Sequence, residues 1–500
     1  MSTAGRPHRL STGGLIDRTR PLAFQFDDCS YTGFAGDTLA SALLASGVKL
    51  VGRSFKYHRP RGLLTAGSDE PNALLELRVG AWREPNTRAT VAELFEGCTA
   101  YSQNRWPSLS FDLGAVNSLV SPVLVAGFYY KTFMWPRAWW EKLYEPAIRR
   151  AAGLGRASQE SDPDRYEKAH VFCDVLVIGA GPAGLAAALT AARSGARVVL
   201  CDEDFMLGGR LNSERYEIEG NTGPAWARQV ETELESMADV RILRRTTVFG
   251  AYDGNFGAVE RISDHLPAPV RHLPRQRLWK IVAKRSILAA GALERPIVFG
   301  GNDRPGVMLA AAVRTYVNRF GVAPGRKVAI FTATDDGWKT ASDLEQAGVA
   351  VEAVIDARSD VIAPKKLAAR TWFGAQVTDT QGSGSLRRIT VRDRDGRSTH
   401  LHIDTLAVSG GWNPSVSLTT HLGQRPKWSD AIAAFVPGDL PRGMTVAGAA
   451  TGALSLSEAL RTGSMAGAEA AKDVGLQPAA TTAWRTDDEA TNLADRKSVV

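Results

Sequence analysis

Apolar residues recur along this chain in changing rhythms, and the changes mark its parts. From about residue 20, short stretches alternate apolar and polar positions as half-buried strands do: LAFQFDD, YTGFAGD and, from Leu74, LLELRVG. Among them TLASALLASG carries a helical period, so residues 1–100 read as a small α+β unit. From 101 to 168 the period is lost. Pro107, Pro122, Pro136 and Pro146 punctuate a run rich in Trp and Tyr, GFYYKTFMWPRAWWEKLYEPAI, predicted to wrap the molecule with its rings packed onto other surfaces. The polar SQESDPDRYEK follows as a linker. Residues 169–475 form the largest unit. There FCDVLVIGA, PAGLAAALTAARSG and ARVVLCDE make a strand–helix–strand unit, and parallel strands covered by helices on both faces are expected to follow. RKVAIFTATDDGWKTASDLEQAGVAVEAVID repeats that unit inside a second subdomain of about 322–420. The segment 476–500 has no apolar period and reads as a tether or a truncated linker.

The first turn of the large unit carries candidate chemistry. Gly179, Gly181 and Gly184 form a G-x-G-x-x-G pattern directly after four apolar strand residues and at the opening of an Ala-rich helix. Gly179 permits the tight turn, Gly181 leaves the backbone open to a pyrophosphate, and Gly184 lets helix and strand pack closely. The helix start then turns its amide N–H groups and positive dipole end to the phosphates. After the second strand come Asp202, Glu203 and Asp204. One of these carboxylates is expected to accept hydrogen bonds from ribose hydroxyls, each worth about 1.5–3 kcal/mol. The same cluster disfavours NADP, since a carboxylate ~4 Å from a 2′-phosphate costs about 4 kcal/mol per unit charge near the protein surface. Arg210, just past Gly208-Gly209, offsets part of this if it turns toward a phosphate. NAD is therefore favoured, with FAD the alternative occupant of the same turn. Two further Gly turns, Ala289-Ala290-Gly291-Ala292 and Ala447 to Gly452, end strands in the way that lets a cofactor lie against backbone. The second strand–helix–strand unit has Thr332-Ala-Thr-Asp335-Asp336-Gly337 where the glycines would be, and is expected to be structural or to hold some other ligand.

Composition narrows the picture. Lys+Arg 60 against Asp+Glu 53 gives +7, spread too thinly for nucleic acid except in the run Arg53–Arg61, which could guide an anionic cofactor or an acidic partner. Neither a signal-length apolar N-terminus nor a membrane-length apolar stretch is seen, so a cytoplasmic protein with no membrane association is expected. Cys29, Cys98, Cys173 and Cys201 show neither C-x-x-C nor metal-ligand spacing. His400 and His402 share one face of a strand but do not complete a metal site, so no metal ligands are expected. No catalytic pair can be assembled from these residues, which points to chemistry in a partner.

The unusual run GRSFKYHRPRGLLTAGSDEPNAL, followed in order by VIGAGPAGLAAA, CDED…GGR, ILAAGALERP, GNDRPGVM and VSGGWNP, resembles the alpha subunit of heterotetrameric sarcosine oxidase over residues 20–475. The resemblance implies an α/β fold: a FAD/NAD(P)-binding, Rossmann-like unit of two dinucleotide-type domains, preceded by a small α+β ferredoxin-like domain. It implies NAD held non-covalently here, with beta, gamma and delta-type partner subunits, the beta subunit carrying FAD and covalently held FMN. The implied reaction oxidatively demethylates sarcosine to glycine with O₂ and tetrahydrofolate, giving methylenetetrahydrofolate and hydrogen peroxide. By motif, the implied NAD contacts are Ala183, Asp202, Glu203, Asp204 and Arg210, with Val248, Ala449 and Leu454 beside them. Related opine and amino-acid dehydrogenases carry [2Fe–2S] ligands in the loop corresponding to Val51–Asp69. That loop has no cysteine here, so an iron–sulfur cluster is expected to be excluded. The family continues into a folate-binding domain of the aminomethyltransferase type. The chain is therefore expected to be either a fragment or a shortened subunit that releases formaldehyde. The alternatives are a free-standing FAD-dependent NADH oxidoreductase, the alpha subunit of an opine or amino-acid dehydrogenase, or a scaffold with an empty nucleotide site.

Overall fold

A hairpin comes first among the strands of the computed structural model, which describes residues 7–120, 127, 135–151, 153, 155–267, 270–364 and 366–487. Strands β1 (Asp17–Phe26) and β2 (Cys29–Ala35) pair antiparallel, and α1 (Leu39–Ala45) follows, started by Thr38, whose hydroxyl accepts from the Ser41 amide. Strands β3 (Leu74–Leu77), β4 (Glu84–Arg88) and β5 (Cys98–Ser102) complete a five-stranded sheet in the order β2-β1-β5-β3-β4.

The dinucleotide-type unit then builds on β6 (Tyr166–Ile178), whose last six residues are all buried, as a strand covered on both faces requires. Helix α2 (Pro182–Arg193), β7 (Val198–Cys201), α3 (Gly223–Glu235) and β8 (Val240–Leu243) give a parallel sheet β8-β7-β6. The hairpin β9 (Thr246–Tyr252) and β10 (Asn255–Arg261) leads into the long β11 (Gln276–Leu288), which runs parallel to β6.

From β11 the chain leaves through β12 (Ala292–Glu294) for the second unit. That unit comprises β13 (Val307–Leu309), α4 (Ala310–Asn318), β14 (Val328–Thr332), α5 (Asp335–Gln346), β15 (Val351–Asp356) and β16 (Arg370–Phe373). A three-stranded antiparallel sheet, β17 (Gln376–Gln381), β18 (Arg388–Arg392) and β19 (Ser398–Leu401), precedes β20 (Thr405–Ser409). The order β13-β20-β14-β15-β16 is parallel throughout. The chain returns through β21 (Trp412–Pro414), antiparallel to β12, and adds β22 (Met444–Val446) beside β11 before the closing helix α6 (Leu456–Asp473). The first large sheet is mixed, parallel from β8 through β7, β6 and β11 to β22 and antiparallel in β9 and β10, whereas the second is parallel throughout. With the small α+β sheet before them they make the expected α/β class, the antiparallel hairpin being the departure from an all-parallel reading. The second unit begins earlier than 322, because β13 and α4 belong to its sheet.

Three features go beyond the reading of the chain or depart from it. The N-terminal sheet shares its core with the second unit: Phe24, Leu39, Leu43 and Leu44 pack in one apolar cluster with Tyr316, Phe320 and Trp338. The segment after 475 is docked as far as Asp487. Trp484 meets Trp226 edge-on at 5.2 Å, and Thr486 bridges to Ile218. Hydrogen bonds from the Ala479 amide to Ser194 Oγ and from the Arg485 amide to Glu219 add to these, and such scattered contacts leave no apolar period to read. Thirdly, the aromatic run does not bury its rings where it is described: Trp135 is 82% and Trp139 52% exposed, and Trp140 and Tyr144 are half-buried. Residues 128–134 of that run lie outside the described residues. No helix among the described residues is long and apolar enough to cross a membrane.

Candidate dinucleotide site

Where β6 ends, Gly179 turns the chain with φ +97, its amide donating to Cys201 O at the end of β7 (2.8 Å). A side chain there would meet Ala289 O at 2.5 Å. Helix α2 starts from Gly181 with no side chain capping it, so the first-turn amides are left for a ligand. A Cβ on Gly181 would meet nothing within 4 Å, whereas one on Gly184 would lie 1.8 Å from Gly179 O. The open side of the turn is thus at Gly181, and the packed side at Gly184.

The turn opens on a cleft of about 600 Å³. Gly179, Gly181, Ala183, Asp202, Glu203, Asp204, Arg210, Val248, Ala449 and Leu454 all line it. Of the positions expected at the site, Gly184 alone stands behind the wall. These residues come from the connections after β6, β7 and β22 and from strand β9, brought together because β6, β7 and β22 end on the same edge of one sheet.

The three acidic residues divide the work. Asp202 folds inward: its carboxylate accepts from the amides of Ala180 (2.5 Å) and Asp204 (2.8 Å), so it fixes the Gly turn. Burial, then the charge of Asp204, raise its pKa to about 7 against those amides. Asp204 is committed to Arg319 (2.8 Å), which holds its carboxyl below the usual value although burial opposes this. Glu203 is exposed at the rim, where its carboxylate accepts from Ser68 Oγ (2.5 Å). Of the three, it is the carboxylate left exposed at the cleft.

Elsewhere on the cleft, Arg210 ties the loop after β7 to the last Gly turn. Its guanidinium donates to Leu454 O (2.6 Å) and pairs with Glu214 (2.6 Å). Behind it Arg314, 3% exposed, lies 3.5 Å from Glu214 and 3.7 Å from Asp336. Burial opposes the Asp336 charge, but Arg314 and Lys339 outweigh it and hold the carboxyl below its ordinary value. Trp412 Nε1 donates to the same carboxylate. Asp336, from the unit expected to be structural or to hold some other ligand, is therefore paired with Arg314 and lines the same cleft. Trp412 and Asp336 were not anticipated as site residues, and neither were Ser68 and Asp69 of the N-terminal sheet. The signal available for Trp412 was its Gly-Gly turn at a strand end; Ser68 and Asp69 carried none.

Glu294, on β12, is buried and accepts from the Ala311 amide (2.7 Å); burial raises its carboxyl from 4.5 to about 8. The fold prefers its protonated form, whereas the unfolded chain ionises it. Stability is therefore expected to fall as pH rises from 4.5 toward 8. Glu294→Gln should flatten that slope in urea denaturation at pH 5, 6.5 and 8; an unchanged slope would assign it to other groups.

Residues 19–105 match the family model described as 2Fe-2S iron-sulfur cluster binding domain, and residues 174–249 that of FAD dependent oxidoreductase. The chain is 55% identical over 471 residues to the sarcosine oxidase alpha subunit of Rhizobium meliloti (strain 1021), covering 94% of this chain and 48% of that protein. It is 38% identical to the Corynebacterium sp. (strain U-96) protein of the same name, over 94% of this chain and 46% of that one. The A subunit of opine oxidase from Agrobacterium tumefaciens (strain Ach5) is 28% identical over 53% of this chain and 58% of that protein. The chain is thus homologous to sarcosine oxidase alpha subunits and spans about half their length. Among solved structures, L-proline dehydrogenase from P. horikoshii superposes with a TM-score of 0.64 at 20% identity, covering 95% of this chain and 77% of that one, which shows a shared fold.

The first match corrects the expected exclusion of an iron–sulfur cluster. That exclusion weighed only the loop Val51–Asp69, while the cluster-binding domain spans 19–105 and includes Cys29 and Cys98. As donors, these two thiols differ: Cys29 is exposed on β2, and Cys98 is buried on β5 with its thiol pushed up to about 12. Two thiols fall short of the four that a cysteine-ligated cluster takes. Among the described residues no group of three or more His, Cys, Asp or Glu side chains is arranged to hold a metal ion. The donor set does not fit the group, and no step below is routed through it.

Proposed function

We propose that this homologue of sarcosine oxidase alpha subunits holds NAD in the cleft at Gly181 and serves as one component of a cytoplasmic amine-oxidising complex. The carrying observation is the convergence of separately expected positions on one cleft: the Gly turn, Glu203, Arg210, Val248, Ala449 and Leu454 all face the same space of about 600 Å³. Bare first-turn amides would bind the pyrophosphate, and Glu203 the adenosine ribose. Titratable side chains at this cleft are engaged in structural pairs, Asp204 with Arg319 and Arg210 with Glu214. This supports a bound nucleotide that organises the subunit, with flavin chemistry on beta-type partners carrying FAD and FMN, and gamma and delta-type subunits completing the assembly. Sarcosine is the proposed substrate, oxidised to glycine with hydrogen peroxide as co-product.

Denaturing the purified chain should release NAD, identified by its mass, and the chain alone should leave sarcosine unoxidised. Sarcosine oxidation by the isolated chain would overturn the division of labour. A second reading has its own support: residues 174–249 match an FAD dependent oxidoreductase model. Under it FAD occupies the same cleft, and the purified chain would be yellow and bleach on addition of NADH.

A further inference from the structure

The loop between Leu64 and Ala73 belongs to the N-terminal sheet in sequence, yet its tip stands at the rim of the nucleotide cleft. Ser68 Oγ donates to Glu203 at 2.5 Å, and Ser68 and Asp69 both line the cleft. The loop is held from inside by one carboxylate. Glu70, 1% exposed, accepts from the amides of Leu64 (2.9 Å), Thr65 (2.7 Å), Asn72 (2.7 Å) and Ala73 (3.2 Å). Such convergence of amides on a buried anion fixes backbone geometry across both arms of the loop. The outside is fixed too: the hydroxyl of Tyr316, a fully buried residue of the second unit, donates to Thr65 O (3.0 Å), and the Leu309 amide donates to Leu64 O (2.8 Å). Near the tip, Thr90 Oγ1 donates to Gly67 O (2.6 Å). Ser68 and Asp69 are therefore presented by a rigid frame at the position where Glu203 meets the ribose.

Resting on the reading that the cleft holds a dinucleotide, we infer that Ser68 and Asp69 are specificity-determining residues for its adenosine ribose. Ser68 orients the Glu203 carboxylate toward a free 2′,3′-diol. Asp69 adds a second negative charge beside it, so that a 2′-phosphate is refused. The chemical class selected is a dinucleotide with an unphosphorylated adenosine ribose. No part of the Gly-rich motif supplies these two residues.

The test measures NAD, NADP and FAD binding to the full chain by calorimetry, after bound nucleotide is stripped with charcoal. Wild type should favour NAD over NADP by at least about 100-fold, as a like-charge contact at the rim requires. Asp69→Asn should narrow that ratio by about tenfold and Asp69→Arg by more, through a gain in NADP binding. Ser68→Ala should weaken NAD by roughly threefold to tenfold, one hydrogen bond's worth, and Ser68→Thr should restore it. A loop with a merely structural role would weaken both nucleotides together and leave the ratio unchanged, and that result overturns the inference. A chain that binds FAD but neither nicotinamide dinucleotide also overturns it while leaving the cleft's dinucleotide role standing. A chain that binds none of the three overturns both.

Discussion

Gly181→Val should leave the chain folded and strip it of its nucleotide, with affinity for NAD falling by more than about 100-fold. The new side chain would project into open space, since a Cβ at Gly181 meets nothing within 4 Å, so the ligand-free fold has room for it. That same space lies over the uncapped start of α2, where a pyrophosphate has to approach the backbone. Crowding there costs about 1–3 kcal/mol, and each charge-assisted hydrogen bond that an amide can no longer donate costs about 1.5–3 kcal/mol. With one such bond lost these come to about 2.5–6 kcal/mol, and with two to about 4 kcal/mol or more, against ~2.7 kcal/mol for a 100-fold loss of affinity. Calorimetry with NAD, beside a circular dichroism melt without it, separates the two effects. The contrasting variant is Gly184→Ala, whose methyl would lie 1.8 Å from Gly179 O and must push helix from strand. That variant should lower the melting temperature even without ligand. Retained NAD binding in Gly181→Val would remove the phosphate from this turn.

Arg314→Met should cost about 3–5 kcal/mol of stability, the range seen when one partner of a buried ion pair is removed. Arg314 is 3% exposed and stands within 3.5–3.7 Å of Glu214 and Asp336. Methionine fills similar volume, so the loss would be chiefly electrostatic: Asp336 and Glu214 would remain buried with less compensation. Glu214 also holds Arg210, and through it Leu454. Nucleotide affinity should therefore fall together with stability, unlike the Gly181 variant, which should separate them. The double variant Arg314→Met with Asp336→Asn should recover part of the loss. Urea denaturation of the four chains closes the cycle, and strictly additive losses would show that the pair is not coupled.

Much of this site could be read in the chain because its signals are local. The apolar run before Gly179, the small residues through Ala188 and the acidic cluster after Cys201 each lie within one strand–helix–strand unit, where spacing fixes geometry. The acidic cluster was legible only as a group. Which carboxylate faces the ligand depends on Arg319 claiming Asp204 and on the Ala180 amide claiming Asp202, contacts that no spacing encodes. The cysteine reading failed for a related reason: a single loop was weighed, while the matched domain is a pattern of strands extending over 19–105.

The chain alone specified the Gly turn after β6, the strand–helix–strand repeats of both large units and the order in which they are built. All of these follow from backbone conformation and apolar period over a few consecutive residues. Only the tertiary structure decided that the N-terminal sheet shares its core with the second unit, that Ser68 reaches Glu203 across 135 positions, and that Asp336 is neutralised at the cleft wall. Those outcomes depend on packing between distant elements, where a side chain's role is set by its neighbours in space and leaves no period in the chain.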